Sequence, residues 1–425
     1  MSKTVTAQEA IARIESSSHI FIHSVAAAPH YLIDTLMKRA SELSDIHLYH
    51  LHTEGGAPYV EPQYANTFHL HSFFIGANVR KATQEGRADY IPVFLSEIPV
   101  LIRKKIIPIN VALISVSKPD KNGYVSLGTS VDATFAAVQT ADLVIAQVNR
   151  FMPRTFGDAT LHTNDITYLV EHDTPLPVMT FEPPTDIEKK IGHFIAELVP
   201  DGATLQMGIG SIPNAVLSNL MHHKNLGIHS EMFSDGLLPL LENGIVNNRK
   251  KNILRGRTVA TFVMGSQKMY NFLDDNPGVV MREVDFVNNP DIIAQNDKVV
   301  AINSAIEIDL TGQVCSDSIG TRMYSGVGGQ IDFLTGAAKS EGGVPIIAIA
   351  SRTPKGVPKI VPTLKPGAGV VSTRANMHYI VTEYGAVDLY GKSLKERAKA
   401  LIYIAHPDDR EMLERAAFER WNGYF

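Results

Sequence analysis

The sequence has little cysteine, no long apolar run and no excess of positive charge. Its single cysteine, Cys315, excludes an intramolecular disulfide and a CxxC metal site. No run of 18 apolar residues occurs, so the sequence predicts no membrane-spanning helix. The first 20 residues carry acidic side chains and lack the apolar core of a signal peptide. The net charge of −5 gives no electrostatic footprint for nucleic acid. We therefore expect a cytoplasmic protein that binds neither membranes nor nucleic acids.

Metal-ligand spacings are also missing. The chain has 16 histidines, but no HExxH or comparable pattern occurs among them. We therefore predict no metal site. The 425 residues, 44% hydrophobic and 20% charged, are enough for two ordinary globular domains.

Short apolar runs alternate with helical patterns along the chain, as in "HIFIHS" followed by "PHYLIDTLMKRA". This alternation favours an α/β fold with largely buried strands. An internal repeat is also visible, because residues 20–36 align without gaps with residues 204–220. Residues 114–126 align with 303–315, which places Asp120 on Asp309 and Gly123 on Gly312.

The repeat predicts two similar open-sheet α/β domains. We expect them to span residues 1–182 and 183–425, joined near the proline-rich and polar segment 175–190.

The two halves differ at the turn between strand and helix. The first half reads "SVAAAPH" and the second "GIGSIPN". Gly208 and Gly210 would let a ligand approach the backbone closely, and the free N–H groups of the following helix favour ligand oxygens. A tight turn without a ligand is the alternative.

A second glycine cluster stands in "YSGVGGQIDF", residues 324–333, and the first half has no counterpart. Its glycines Gly326, Gly328 and Gly329 could aim backbone N–H groups at an oxygen atom. An ordinary flexible turn would have the same composition.

In each half, a strand is followed by a similar tripeptide that ends in a glutamate. Glu231 ends "HSE" and Glu54 ends "HTE", and we expect the two to hold matching positions. Because both glycine loops belong to the second half, Glu231 is the better candidate for a reacting carboxylate. It could attack an activated acyl group and form an anhydride that a thiolate then opens. A helix cap or a salt-bridge partner is the alternative for such a glutamate.

These residues resemble the acetyl-CoA hydrolase/transferase family of CoA transferases. The resemblance rests on "GIGSIPNAVL", on the glutamate of "HSEMFSDG" that follows it, and on further runs in the same order along nearly the whole chain. These include "GANVRKATQEGRADYIPVFLSEIP", "DKNGYVSLG", "VNRFMPRTFGD", "SAIEIDLTGQV", "SGVGGQIDF", "VTEYGAVDLYGKS" and "LIYIAHPDDR". The chain is most similar to the branch with 4-hydroxybutyrate CoA-transferase and butyryl-CoA:acetate CoA-transferase.

The resemblance implies a CoA-transferase that moves CoA between an acyl-CoA and a short-chain acid, 4-hydroxybutyrate or butyrate, with acetate or acetyl-CoA. It implies two domains of the CoA-transferase fold and a homodimer or larger homo-oligomer. Glu231 would form a glutamyl-CoA thioester, and Glu383 would lie near the active site. Coenzyme A would be bound as a substrate, and the residues matching its contact and oxyanion loops are Gly208, Ile209, Gly210, Ser211, Ile212, Gly328 and Gly329.

Other assignments stay open at this level. Asn303 could donate to a substrate carboxylate or only satisfy backbone groups. Glu54 could shape the substrate site or be a structural remnant of the duplication. Two other functions use the same residues: an acyl-CoA (acetyl-CoA) hydrolase, and an acyl-CoA-sensing protein without turnover. The acid itself cannot be read from the sequence.

Overall fold

The structure is a computed structural model that describes residues 3–180 and 182–425. Residue contacts divide the chain into two compact units. The first comprises Met1–Thr180 and Arg257–Asn288, and the second comprises Phe181–Gly256 and Asn289–Phe425. The predicted boundary after residue 182 stays a prediction. Residue 181, which belongs to the predicted linker, lies outside the described residues.

The segment 257–288 clusters with the first unit, whereas the sequence prediction included it in the second domain. Two of its strands, Thr258–Ala260 and Val279–Met281, pair in parallel with each other. Val279–Met281 also pairs in parallel with Phe156–Gly157. The ladder with Phe156–Gly157 joins the segment to the rest of the first unit.

The first unit is built on one parallel sheet. From one edge to the other its strands are Lys3–Thr4, Tyr168–Glu171, Leu143–Val148, Val111–Val116, His19–Ile22, Ile46–His50, Phe68–Ser72 and Ala88–Tyr90. Its α-helices are Ala7–Ile11, His30–Met37, Arg80–Gln84, Ile98–Arg103, Thr134–Thr140, Gln267–Leu273 and Val284–Val287. The strand Val111–Val116 is buried along its whole length, and its sequence is apolar except for Ser115, as is typical of parallel sheets.

The second unit has a mixed sheet with a parallel centre. Its strands run in the order Met232–Phe233, Thr204–Met207, Val299–Ser304, Val344–Ala348, Tyr379–Thr382 and Gly385–Asp388, and Gly227–Ile228 also pairs with Thr204–Met207. Its α-helices are Asp186–Glu197, Ser211–Asn219, Leu238–Glu242, Pro290–Ile293, Gln330–Lys339, Leu394–Tyr403 and Pro407–Arg420. A smaller sheet joins Val314–Cys315, Glu307–Asp309 and Ile360–Val361.

The predicted repeat is visible in a matching pair of turns. The Asp120 carboxylate accepts the N–H groups of Asn122 at 2.8 Å and Tyr124 at 2.9 Å. The Asp309 carboxylate accepts those of Thr311 at 2.8 Å and Gln313 at 3.0 Å, the same spacing along the chain.

A glycine in the left-handed region completes each turn, Gly123 at φ +82° and Gly312 at φ +91°. The aligned residues therefore build the same local structure in both units.

A hydrophobic cluster fills the C-terminal part of the second unit. It includes Ile308, Leu334, Ile347, Ile380 and Leu401, each at most 1% exposed. This cluster joins the small sheet, the central sheet and the last two helices. Among the described residues, no helix is both long and apolar enough to cross a membrane.

Candidate active site

The central strands of the second unit are parallel, so their carboxyl ends lie along one edge of the sheet. Gly208 follows the strand Thr204–Met207, and Asn303 lies next to the end of Val299–Ser304. Glu383 follows Tyr379–Thr382. Open α/β sheets bind ligands outside the carboxyl ends of their strands. The structure thus brings these predicted residues to the edge where a ligand is expected.

The first glycine loop presents open backbone to its surroundings. Gly210 has φ +118° and ψ −175°, a conformation accessible essentially only to glycine. A Cβ atom built on Gly208 or Gly210 would meet nothing within 4 Å, so both glycines face free space. Ile209 between them is 37% exposed. The loop therefore has room for a ligand directly against the main chain.

The helix Ser211–Asn219 begins immediately after this loop. The first N–H groups of a helix have no intrahelical acceptor and carry partial positive charge, which favours an anionic or carbonyl oxygen. The Ser211 hydroxyl donates to Glu188 Oε1, which ties the start of the helix to the helix Asp186–Glu197. Ile212 lies in the same first turn.

Glu231 is held beside the first glycine loop by its neighbours in the chain. Met207, the last strand residue before Gly208, pairs with Met232. The Ser230 hydroxyl lies 3.0 Å from Met207 O and 2.6 Å from Met232 O, and it accepts the Met207 N–H at 3.2 Å. Glu231 is therefore flanked on both sides by residues bonded to Met207. The side chain of Glu231 is half-buried.

The second glycine loop connects to the same region through an aromatic contact. Gly328 adopts a left-handed conformation with φ +60°, and Gly329 caps the helix Gln330–Lys339. Phe333 of that helix contacts the His229 ring edge-on, with ring centroids 6.4 Å apart. Since His229 lies two residues before Glu231, the helix that follows the second loop packs against the segment that carries the glutamate.

Asn303 and Glu383 have protein partners at the same edge. The Asn303 amide donates to Gln206 Oε1 at 3.0 Å, across neighbouring strands. Glu383 is 9% exposed, and its carboxylate accepts the Ser351 N–H at 2.9 Å and the Ser351 hydroxyl at 2.6 Å. These contacts give both residues a structural role, and a role toward substrate stays a prediction for each.

Glu54 belongs to the first unit. Its N–H donates to Val25 O at 3.1 Å, and its carbonyl accepts from His30 Nε2 at 2.7 Å. Its carboxylate is 3.8 Å from His52 Nε2, and burial raises the pKa of the carboxyl group. Its assignment to a substrate site stays a prediction.

The expectation that Glu54 and Glu231 hold matching positions is wrong. Thr204 pairs with Gly227, whereas Ile20, its aligned counterpart, pairs with Leu48. Glu231 comes four residues after Gly227, but Glu54 comes six residues after Leu48. The tripeptides look alike, yet they follow strands of different length, Gly227–Ile228 and Ile46–His50.

The sequence did not indicate Ser230 or Lys251 as part of this region. Lys251 is 2% exposed, and its Nζ donates to Ile228 O at 2.8 Å, on the strand before Glu231. Burial lowers the pKa of its ammonium group to about 7. The contact joins residues 23 positions apart, so no local sequence pattern predicts it.

Comparison with known proteins decides the family. The family model of the acetyl-CoA hydrolase/transferase N-terminal domain matches residues 1–180, and that of the C-terminal domain matches residues 265–417. The chain belongs to the acetyl-CoA hydrolase/transferase family. It is therefore an enzyme of the CoA-transferase type, as its similar relatives are. The family predicted from sequence motifs is confirmed.

Two curated relatives cover almost the whole chain. A succinyl-CoA:acetate/propanoyl-CoA:succinate CoA transferase of Fasciola hepatica is 54% identical over 96% of this chain and 86% of its own length. A 4-hydroxybutyrate coenzyme A transferase of Clostridium kluyveri is 48% identical over 97% of this chain and 96% of its own length. An acetyl-CoA hydrolase of Neurospora crassa is more distant, at 27% identity over 81% of this chain and 74% of its own length.

The fold prediction is confirmed by a solved structure. RipA from Yersinia pestis superposes with a TM-score of 0.94 at 39% identity, covering 99% of this chain and 98% of that one. A 4-hydroxybutyrate CoA-transferase from Porphyromonas gingivalis superposes with a TM-score of 0.84 at 36% identity, covering 98% of each chain, so the α/β architecture with parallel strands is shared with a CoA-transferase.

Proposed function

We propose that the enzyme moves CoA between an acyl-CoA and a short-chain carboxylate through a thioester on Glu231. The observation that supports this most is the bonding of Ser230 and Met232 to Met207, which holds Glu231 beside the open glycine loop. Glu231 would supply the nucleophile that acyl transfer needs, and backbone N–H groups of the second glycine loop would supply the oxyanion donors.

The reaction begins when the Glu231 carboxylate attacks the thioester carbonyl of the acyl-CoA. The C–S bond breaks, CoA leaves as the thiolate, and an acyl-glutamyl anhydride remains. The thiolate attacks the glutamyl carbonyl, which gives glutamyl-CoA and the free acid. An acceptor carboxylate then attacks the carbonyl of glutamyl-CoA, which releases the thiolate and forms a new acyl-glutamyl anhydride. The thiolate attacks the acyl carbonyl of this anhydride, which gives the new acyl-CoA and returns Glu231 to its carboxylate form.

The loops supply binding and charge stabilisation in this scheme. Gly328 is left-handed and Gly329 is the N-cap of the helix Gln330–Lys339, and backbone N–H groups of this turn would hold the tetrahedral oxyanion. The run from Gly208 to Ile212 would contact CoA. Binding of the long CoA chain, remote from the reacting carbon, offsets the repulsion between two carboxylates. One thioester replaces another, so the exchange needs no ATP.

For the acids, the proposal is 4-hydroxybutyrate or butyrate on one side and acetate, or acetyl-CoA, on the other. Relatives named for different acids share this family, so initial rates with each acid under competition decide the assignment. We also propose that the enzyme is a cytoplasmic homodimer. Light scattering on the purified protein measures the mass of the oligomer.

The experiment that tests the mechanism is peptide mass spectrometry after incubation with butyryl-CoA or acetyl-CoA and no acceptor. We expect a CoA adduct on the peptide that contains Glu231, and we expect acetate to remove it. Glu231→Gln should abolish both adduct and turnover, because the amide oxygen is a poor nucleophile. Glu54→Gln is the matched control, since Glu54 also lies in a loop after a strand, and it should keep the adduct.

An adduct on the Glu54 peptide would mean that the reacting carboxylate is in the other unit. The hydrolase alternative predicts loss of acyl-CoA at the same rate with and without acetate. Binding of acyl-CoA without any adduct or turnover would instead favour the sensing protein.

A further inference from the structure

We infer that Ser230 is a positioning residue for Glu231, an inference that rests on the proposed function. Ser230 is 0% exposed and precedes the glutamate directly. Its hydroxyl reaches both main-chain groups of Met207 and the carbonyl of Met232, all within 3.2 Å. One small side chain thus connects the last residue before the glycine loop to both neighbours of the glutamate.

Because Ser230 is covalently joined to Glu231, this contact also restricts the position of the Glu231 main chain. Consecutive Cα atoms are about 3.8 Å apart, so Glu231 stands one peptide unit from Ser230 and one from Met232. Gly208 stands one peptide unit from Met207 in the same way. Because Ser230 and Met232 are both bonded to Met207, the main chain of Glu231 cannot move away from Gly208 without breaking these bonds.

The backbone around the glutamate is paired in short pieces. After Gly227–Ile228, the His229 N–H donates to Leu205 O at 3.1 Å, and Met232 pairs with Met207. Gly227–Ile228 runs parallel to Thr204–Met207 whereas the Met232 pairing is antiparallel, so the chain reverses direction between Ile228 and Met232. The Ser230 hydroxyl satisfies the buried Met207 groups at that reversal.

The first unit shows that a hydroxyl after the histidine of such a tripeptide does not always serve this purpose. The Thr53 hydroxyl, in "HTE", lies 3.3 Å from Tyr59 Oη and accepts from Asn78 Nδ2 at 3.1 Å. It therefore bonds to side chains and not to the end of the preceding strand. The residue before Glu54 therefore does not connect it to a strand end in the way that Ser230 connects Glu231 to Met207.

Ser340, which directly follows the helix Gln330–Lys339, provides a matched control. It is 6% exposed, its hydroxyl accepts the Val299 N–H at 3.1 Å, and it donates to Asn296 O at 2.6 Å. Ser340 thus makes the same kinds of backbone contact, but at the start of the strand Val299–Ser304, the opposite edge from Glu231. Ser340→Ala should alter stability without altering the chemical step.

The test compares wild type, Ser230→Ala and Ser340→Ala in the rate of CoA-adduct formation on the Glu231 peptide, with kcat and KM for acyl-CoA. We expect Ser230→Ala to lower the adduct rate and kcat by about 10²-fold, the order found when a reacting group is misplaced by about 1 Å. KM should stay within about twofold, because the CoA-contacting loop keeps its residues. Ser340→Ala should react at the wild-type rate.

The results distinguish a failure of the positioning role of Ser230 from a failure of the proposed transfer mechanism. A wild-type adduct rate in Ser230→Ala overturns the positioning role and leaves the proposed function intact. Equal losses of kcat in both variants overturn it as well, since a general loss of packing would then explain the effect. No adduct on Glu231 in the wild type overturns the proposed function, and this inference with it.

Discussion

Replacing Gly210 by alanine is expected to destabilise the enzyme through backbone conformation alone. Gly210 has φ +118° and ψ −175°, and a Cβ atom at this position would meet no atom within 4 Å. The cost of Gly210→Ala is therefore not a steric clash with a neighbour. It is the strain of an L-residue in a region that essentially only glycine occupies, about 1–3 kcal/mol.

Gly208→Ala is the matched control for this prediction. Gly208 lies in the same loop and also faces open space, but its φ is outside the left-handed range. A methyl group there should change the free energy of unfolding little, or raise it by about 0.4–1 kcal/mol, because alanine lowers the entropy of the unfolded chain. The two variants differ in backbone strain and share the added methyl group.

Urea unfolding of both variants measures the difference. We expect a lower midpoint for Gly210→Ala with an unchanged slope, and a midpoint at or above wild type for Gly208→Ala. Both methyl groups enter the space beside the proposed CoA loop, so KM for acyl-CoA should rise in both. Equal unfolding midpoints for the two variants would refute the argument that the left-handed conformation of Gly210 is required.

Two further predictions concern stability. Burial lowers the pKa of His50 and of His52 to about 4, whereas an unfolded chain takes up these protons near pH 6.5. Stability should therefore be fully present above about pH 6.5 and fall as the pH drops toward 4, by about 3 kcal/mol for each histidine over the whole window. Urea midpoints at pH 7.5 and pH 5 measure this, and a midpoint that does not fall at pH 5 would contradict it. Glu383→Ala removes both acceptors of Ser351 and leaves its buried N–H unsatisfied, which should cost about 1–3 kcal/mol. Glu383→Gln keeps an acceptor oxygen and should lose less; equal midpoints for the two Glu383 variants would count against this explanation.

Local patterns were enough to predict the main elements of the fold and the open glycine loop. Apolar runs predicted the buried strands, because parallel strands covered on both faces are apolar along most of their length. The repeat predicted two turns of the same construction, since Asp and Gly at fixed spacing specify the turn by themselves. The contrast between "SVAAAPH" and "GIGSIPN" predicted the open glycine loop at Gly208 and Gly210.

Local patterns failed where sequence distance and register mattered. The resemblance of "HTE" to "HSE" suggested equal positions for Glu54 and Glu231, but the pairing registers differ by two residues. Residues 257–288 cluster with the first unit. One of their strands pairs with Phe156–Gly157, and no pattern within either segment specifies that pairing.

The sequence by itself thus determined the α/β class, the family, the glycine loops and the choice of Glu231 as candidate nucleophile. Each of these depends on residues close together in the chain or on the order of motifs along it. Only the tertiary structure decided what surrounds the glutamate: Ser230 bonded to Met207, Phe333 against His229, and Lys251 donating to Ile228. These contacts join segments more than twenty residues apart, and they form because folding brings the carboxyl ends of separate strands to one edge of the sheet.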